Sequence, residues 1–217
     1  MFTINSNDLP DILPIMPLHG VILLPRSELQ VPLADIGNFA SVIFGGLKGS
    51  NYIGVVQVDD NDNEKNDEAI FRCGCVGKIL DIQEFGDVGL VLSILGICRF
   101  EIEKEFDIDG TCRKAVVSYK KYESDIVEEA DFELDRKKLI SVLKTYFKKM
   151  NILPNWGEIK GTSNERLVTM LMMICPFDSN EKQALLETVG YTEQSKLITS
   201  IMEMDTASGI SGSLSYH

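Results

Sequence analysis

The apolar residues of this chain change their spacing once, and that change limits what it can fold into. From about residue 12 to residue 119 they come in short Val- and Ile-rich runs, at 52–58, 70–80, 90–95 and 115–119, broken by glycines, as strands do. After residue 135 they recur about every 3.6 residues, the spacing of one helix face. The junction at 123–135 holds seven acids and no base, a stretch expected to be solvated. Strands followed by helices make the fold class α+β.

The strand half, residues 10–122, reads as a β-barrel or curled sheet. Gly74, Gly77, Gly86, Gly89 and Gly96 lie within or between its runs, where glycine permits bulges and tight hairpins. Phe85-Gly86-Asp87-Val88-Gly89 is expected to be a hairpin tip. One amphipathic helix interrupts this half, because Ile36, Phe39, Ala40, Ile43, Phe44 and Leu47 keep helical spacing. Residues 59–68 carry six acids and one lysine and read as a solvated loop.

The second half, residues 123–205, reads as a bundle of about four short helices, with 206–217 as a flexible tail. Leu139, Leu143, Tyr146, Phe147 and Met150 form one apolar face, and Leu167, Met170, Leu171, Ile174 and Cys175 another. Leu197, Ile198, Ile201 and Met202 form the inner face of the last helix. Thr162 with Glu165, and Asp178 with Glu181, have capping-box spacing, and Thr192 is placed to cap the last helix.

Composition excludes several classes of function. A net charge of −12 repels phosphate, so neither nucleic acid nor acidic membrane lipid is an expected partner. The one basic cluster, Arg136, Lys137, Lys138, Lys144, Lys148 and Lys149, reads as the solvated face of a helix. The five cysteines, an odd number without a scaffold's spacing, suit a reducing cytoplasm. No Lys or Arg precedes Arg26 and three prolines interrupt the first 17 residues, unlike a signal peptide.

Catalytic chemistry finds little to use. His19 and His217 are the only histidines, and neither stands in a nucleophile or metal pattern. Cys73-Gly74-Cys75 has no second ligand pair for structural zinc, and alternation puts both thiols on one face of a strand. Gly74 to Ile79 mimics the end of a phosphate loop, but Arg72 and Ile79 stand where glycine and hydroxyl are needed. No catalytic residue, metal or cofactor is expected.

The ordered motifs identify a relative. Leu13-Pro14-Ile15-Met16-Pro17-Leu18, Val21-Ile22-Leu23-Leu24-Pro25 and Leu29-Gln30-Val31-Pro32-Leu33 resemble the opening of the Lon N-terminal domain family. Tyr52-Ile53-Gly54-Val55-Val56, Cys73 to Ile79, and Leu95-Gly96-Ile97-Cys98-Arg99-Phe100 continue the resemblance in order. Cys175-Pro176-Phe177 and residues 181–187 are similar to its stand-alone bacterial members, and the resemblance runs from about 10 to 205. It implies a pseudouridine-synthase-and-archaeosine-transglycosylase-like (PUA-like) barrel followed by a helical bundle. In Lon this region recognises substrates and helps assemble the ring, while separate ATPase and Ser-Lys protease domains act on them; the present chain is expected to lack both.

The function so implied is non-catalytic polypeptide binding, as an adaptor or substrate-binding protein, with unfolded or hydrophobic segments as partners. The expected peptide-binding residues are Leu23, Leu24, Phe85 and Trp156, each of which also fits a packing role. The alternatives are a small-ligand sensor or an enzyme using the barrel mouth, RNA binding through such a barrel, and a homodimerisation module.

Overall fold

A computed structural model describes residues 8–36, 51–59, 69–108, 112–127 and 132–207. It has two compact units, Met1–Glu129 with Asp178–Glu187, and Ala130–Phe177 with Thr188–His217. The amphipathic helix expected from Ile36 to Leu47 falls almost wholly outside the described residues, as do most of the loop at 59–68 and the tail beyond Ala207.

The first unit is built on six strands: β1 (Ile12–Leu18), β2 (Glu28–Pro32), β3 (Tyr52–Val58), β4 (Ile70–Phe85), β5 (Gly89–Ile108) and β6 (Cys112–Ser118). Their order is β2-β5-β4-β3-β1-β6, and β6 pairs again with β5. The pairings β5, β4, β3, β1, β6 therefore return to the strand on which they began, with β2 outside that circuit. β1 and β3 are parallel, and the other pairs are antiparallel. Alternation fills the interior: Met16, Leu18, Val31, Ile53, Val55, Cys75, Leu92 and Ile94 make one buried cluster.

Long antiparallel strands coil where the ladder takes an extra residue. β4 and β5 slip register between Val76 and Gly77, and again between Ile79 and Asp81. At the first slip Gly96 lets residues 24–27 cross the sheet, with Arg26 N–H donating to the Gly96 carbonyl (2.9 Å) and Gly96 N–H to that of Ser27 (2.8 Å). A Cβ on Gly96 would stand 2.0 Å from the Leu24 carbonyl oxygen, which no rotamer change relieves. Gly96→Ala is expected to cost about 2–3 kcal/mol, read as a lower urea midpoint; an unchanged midpoint would show that the crossing yields. The hairpin tip lies where the sequence puts it, and Gly89 has φ +80°, which glycine adopts without strain.

Five α-helices follow among the described residues: α1 (Arg136–Lys149), α2 (Trp156–Gly161), α3 (Asn164–Ile174), α4 (Ser179–Glu187) and α5 (Tyr191–Ala207). In the second unit α1 and α3 each pack on α5. α1 buries Leu139, Leu143, Tyr146 and Phe147, as its spacing requires. α3 is turned from the expected face: Leu167, Val168, Leu171 and Met172 are buried and Ile174 is 62% exposed. α5 buries Ile198, Ile201 and Met202, but Gln194, Ser195 and Thr199 as well. Arg136, read as solvated, donates to the carbonyls of Ile159 (2.7 Å) and Thr162 (2.8 Å) at the end of α2.

The caps divide. Asp178 and Glu181 form the expected reciprocal box before α4, each accepting the other's backbone N–H at 2.8 and 2.9 Å. For α3 the cap is Ser163, which accepts from Arg166 N–H; Thr162 instead closes α2, donating to the Glu158 carbonyl (2.8 Å). Thr192 lies inside α5, which begins just after Gly190 at φ +83°. α4, expected in the bundle, belongs to the sheet unit, because its polar face meets polar groups of β3 and β4. Gln57 Nε2 donates to the Ser179 carbonyl (3.0 Å) and to Gln183 Oε1 (3.1 Å), and Gln183 Nε2 donates to the Cys73 carbonyl (3.2 Å).

Candidate functional site

The most concentrated buried polar chemistry described lies in the sheet unit, around Arg99. β5 carries this residue inward from an apolar run, at 4% exposure. Its Nε and one terminal nitrogen donate to both oxygens of Asp125 (2.8 and 2.7 Å), its backbone N–H donates to the same carboxylate (3.0 Å), and its other terminal nitrogen donates to the Leu186 carbonyl at the end of α4 (2.8 Å). The guanidinium lies 4.5 Å over the Tyr122 ring. Burial opposes its charge, but the hydrogen bonds and charge of Asp125 outweigh burial and hold its pKa above the ordinary range. Asp125 was expected to be solvated with the other acids of 123–135; its side chain is 7% exposed, because Lys120–Ile126 forms a 3-10 segment folded onto β5.

The thiols border this network. Cys73 Sγ lies 3.1 Å from the Tyr122 hydroxyl, and Cys98 Sγ donates to the Arg99 (3.3 Å) and Tyr122 (3.4 Å) carbonyls. Burial pushes Cys73 and Cys98 up to about 12 and Cys75 well above its usual value. Protonated, buried thiols are neither nucleophiles nor metal ligands. Among the described residues no group of three His, Cys, Asp or Glu is arranged to hold a metal ion, and no helix is long and apolar enough to cross a membrane. Arg99 and its partners thus hold a 3-10 segment and a helix end on the sheet. Sequence reasoning missed them, although an arginine inside Leu95–Phe100 and a glutamine among the valines of β3 were the signals.

The four expected peptide-binding residues separate. Leu23 and Leu24 are interior, at 1% and 2% exposure, with Leu23 in the sheet core; they present no surface to a partner. Trp156 begins α2 in the helical unit, half-buried, with its ring centroid 6.2 Å from that of Phe147 and Lys144 Nζ 5.8 Å from its own. Neighbouring Leu153 is 98% exposed. Phe85 ends β4 and is 45% exposed.

Phe85 belongs to a larger exposed feature. β3 accompanies β4 only to Lys78, after which Ile79 N–H donates to the Asn51 carbonyl (2.8 Å). Among the described residues 80–85 pair only with β5. Leu80 and Leu90 on this hairpin are 49% and 42% exposed. The Ile82 amide is taken by the Asp81 carboxylate (2.7 Å), which also accepts from Gln83 Nε2 (2.8 Å). Those bonds hold the Asp81 pKa below the usual carboxylate range. A strand edge that no described residue pairs with, beside exposed apolar side chains, is a surface on which another chain can pair.

A cleft of about 630 Å³ lies in the helical unit, lined by Glu133, Asp135, Lys138, Lys196, Thr199 and Ser200 among others. Lys138 pairs with Glu203 (3.3 Å) and Lys196 with Glu193 (2.6 Å), so both of its lysines are matched by acids of the same unit.

Residues 12–204 match the ATP-dependent protease La (LON) substrate-binding domain family. The chain belongs to this family. Among relatives of this LON domain, the Lon protease of Dictyoglomus thermophilum is 24% identical over 90% of the chain and 24% of its own length. Lon protease 2 of Myxococcus xanthus is 26% identical over 92% of the chain and 24% of its own length. The chain thus spans about a quarter of the curated relatives it matches. The LON fold is shared with the crystal structure of a Lon N-terminal domain protein from Xanthomonas campestris (TM-score 0.55, 18% identity, 87% of this chain, 97% of that one). It is shared equally with the N-terminal domain of Mycobacterium avium complex Lon protease (TM-score 0.55, 15% identity, 88% and 98%).

Proposed function

We propose that this LON domain is a non-catalytic polypeptide-recognition module of the cytoplasm, acting as an adaptor or substrate-binding protein. One observation carries the reading: among the described residues the β4–β5 hairpin runs on past its pairing with β3, its outer edge unpaired and Leu80, Phe85 and Leu90 exposed. An extended segment adds to the edge of β4 through main-chain hydrogen bonds, and its apolar side chains cover Leu80 and Phe85. The closed circuit of five strands supports reading the sheet as a PUA-like barrel from which this hairpin projects. Membership of a substrate-binding family supports the choice of polypeptide over small ligand. Trp156 keeps one face for a second, weaker contact.

The test is fluorescence anisotropy with a labelled, alkylated protein that stays unfolded. Leu80→Ser with Phe85→Ser is expected to weaken its binding roughly tenfold, since truncating an interface anchor costs on the order of 1 kcal/mol or more. Trp156→Ala is expected to weaken it about twofold. Absence of binding by the unaltered protein sinks the proposal, and a dimer abolished by the double variant would put a second copy on the edge instead.

A further inference from the structure

We infer that the hairpin selects extended segments that carry lysine or arginine among their apolar residues; this rests on the docking reading above. The hairpin has a consistent charge as well as an edge unpaired among the described residues. From residue 79 to residue 98 there is no Lys or Arg, while Asp81, Glu84 and Asp87 fall around the tip, and all three are exposed. Side chains alternate across a strand, so Gln83 and Phe85 share one face of β4, while Ile82 and Glu84 share the other. Ile82 turns toward the sheet core, and the register sets Glu84 opposite Leu90 and Phe85 opposite Gly89. A strand laid along this edge repeats the same alternation. Each face then offers it both an acid and an apolar side chain: Asp81 and Gln83 with Phe85 on one, and Glu84 with Ile82 and Leu90 on the other.

Asp81 adds a second condition. Its carboxylate occupies the Ile82 amide, the group an incoming strand would use, so addition must draw Asp81 away. A cation on the incoming segment gives the displaced carboxylate a partner, and an acid there repels it. Opposite charges across a strand pair stabilise and like charges destabilise, which makes the edge discriminate between segments of equal apolar content.

Three labelled eight-residue peptides, alternating valine with lysine, glutamate or serine, test this by anisotropy with the whole protein. At low salt the lysine peptide is expected to bind roughly tenfold more tightly than the glutamate peptide, as a few exposed pairs add up. The gap should shrink to about twofold in 0.5 M salt. Glu84→Lys with Asp87→Lys should invert the order. The same change of net charge at Glu193 and Glu203, on the helical unit, should preserve it. Equal binding of all three peptides overturns charge selection and leaves the docking edge standing; an order moved equally by both pairs of changes overturns it in favour of the overall field. If none of the three binds, the inference and the docking reading fall together.

Discussion

Asp125→Ala is expected to lower the unfolding free energy of the sheet unit by about 3–5 kcal/mol. The carboxylate accepts three hydrogen bonds from Arg99, one from its backbone and two from its side chain, and the pair is 4% and 7% exposed. Without it the guanidinium stays buried beside the Leu186 carbonyl and the Tyr122 ring but has lost its carboxylate. The cost is that of a buried cation deprived of this partner, so it should largely disappear when the cation goes too. Arg99→Met with Asp125→Leu is expected to recover most of the loss, as apolar replacements of buried ion pairs do. Urea denaturation followed by circular dichroism measures both. A loss under about 1 kcal/mol for the single change would mean that water reaches the pair and screens it as on a surface.

Alkali should destabilise the folded protein well before its lysines lose their charge. Burial raises Cys73 and Cys98 from 9.0 to about 12, and raises Cys75 well above 9.0. A thiol whose folded pKa is raised binds its proton more tightly when folded. Its contribution is complete below about pH 9 and is lost as pH rises toward 12. At pH 10 the loss is about 1.4 kcal/mol for each of Cys73 and Cys98, and Cys75 adds to it in the same direction. Tyr119 and Tyr122 are raised as well, chiefly by burial, and extend the effect to higher pH. The urea midpoint should therefore fall steeply between pH 8.5 and 10.5, and Cys73→Ala with Cys98→Ala should flatten the slope. A midpoint constant over that range would show that these thiols ionise in place.

Both effects arise where the sequence was hardest to read. Arg99 stands in a run of Leu, Ile, Cys and Phe, and Asp125 in a run of acids; each looks ordinary in its own neighbourhood. Only the return of the chain after β6 brings them together, 26 residues apart. Leu23 and Leu24 show the converse. Their apolar character was plain, but the same character suits a core and a docking surface, and exposure decides between them. Phe85 was legible as a hairpin tip from its flanking glycines, whereas its value to a partner depends on the β3 pairing reaching, among the described residues, only to Lys78.

The helices divide in the same way. Spacing and composition set the buried face of α1 and the Asp178–Glu181 box, because both depend on contacts within a turn or two of helix. The turned face of α3, the polar residues buried under α5 and the attachment of α4 to the sheet depend on which neighbour each helix meets. The strand half before the helical half, the hairpin tip and the family were determined by sequence alone, since each rests on local period or ordered motifs. The closed strand circuit, the buried ion pair, the inert thiols and the exposed apolar side chains of the β4–β5 hairpin were decided by tertiary structure, since burial and pairing belong to residues far apart in the chain.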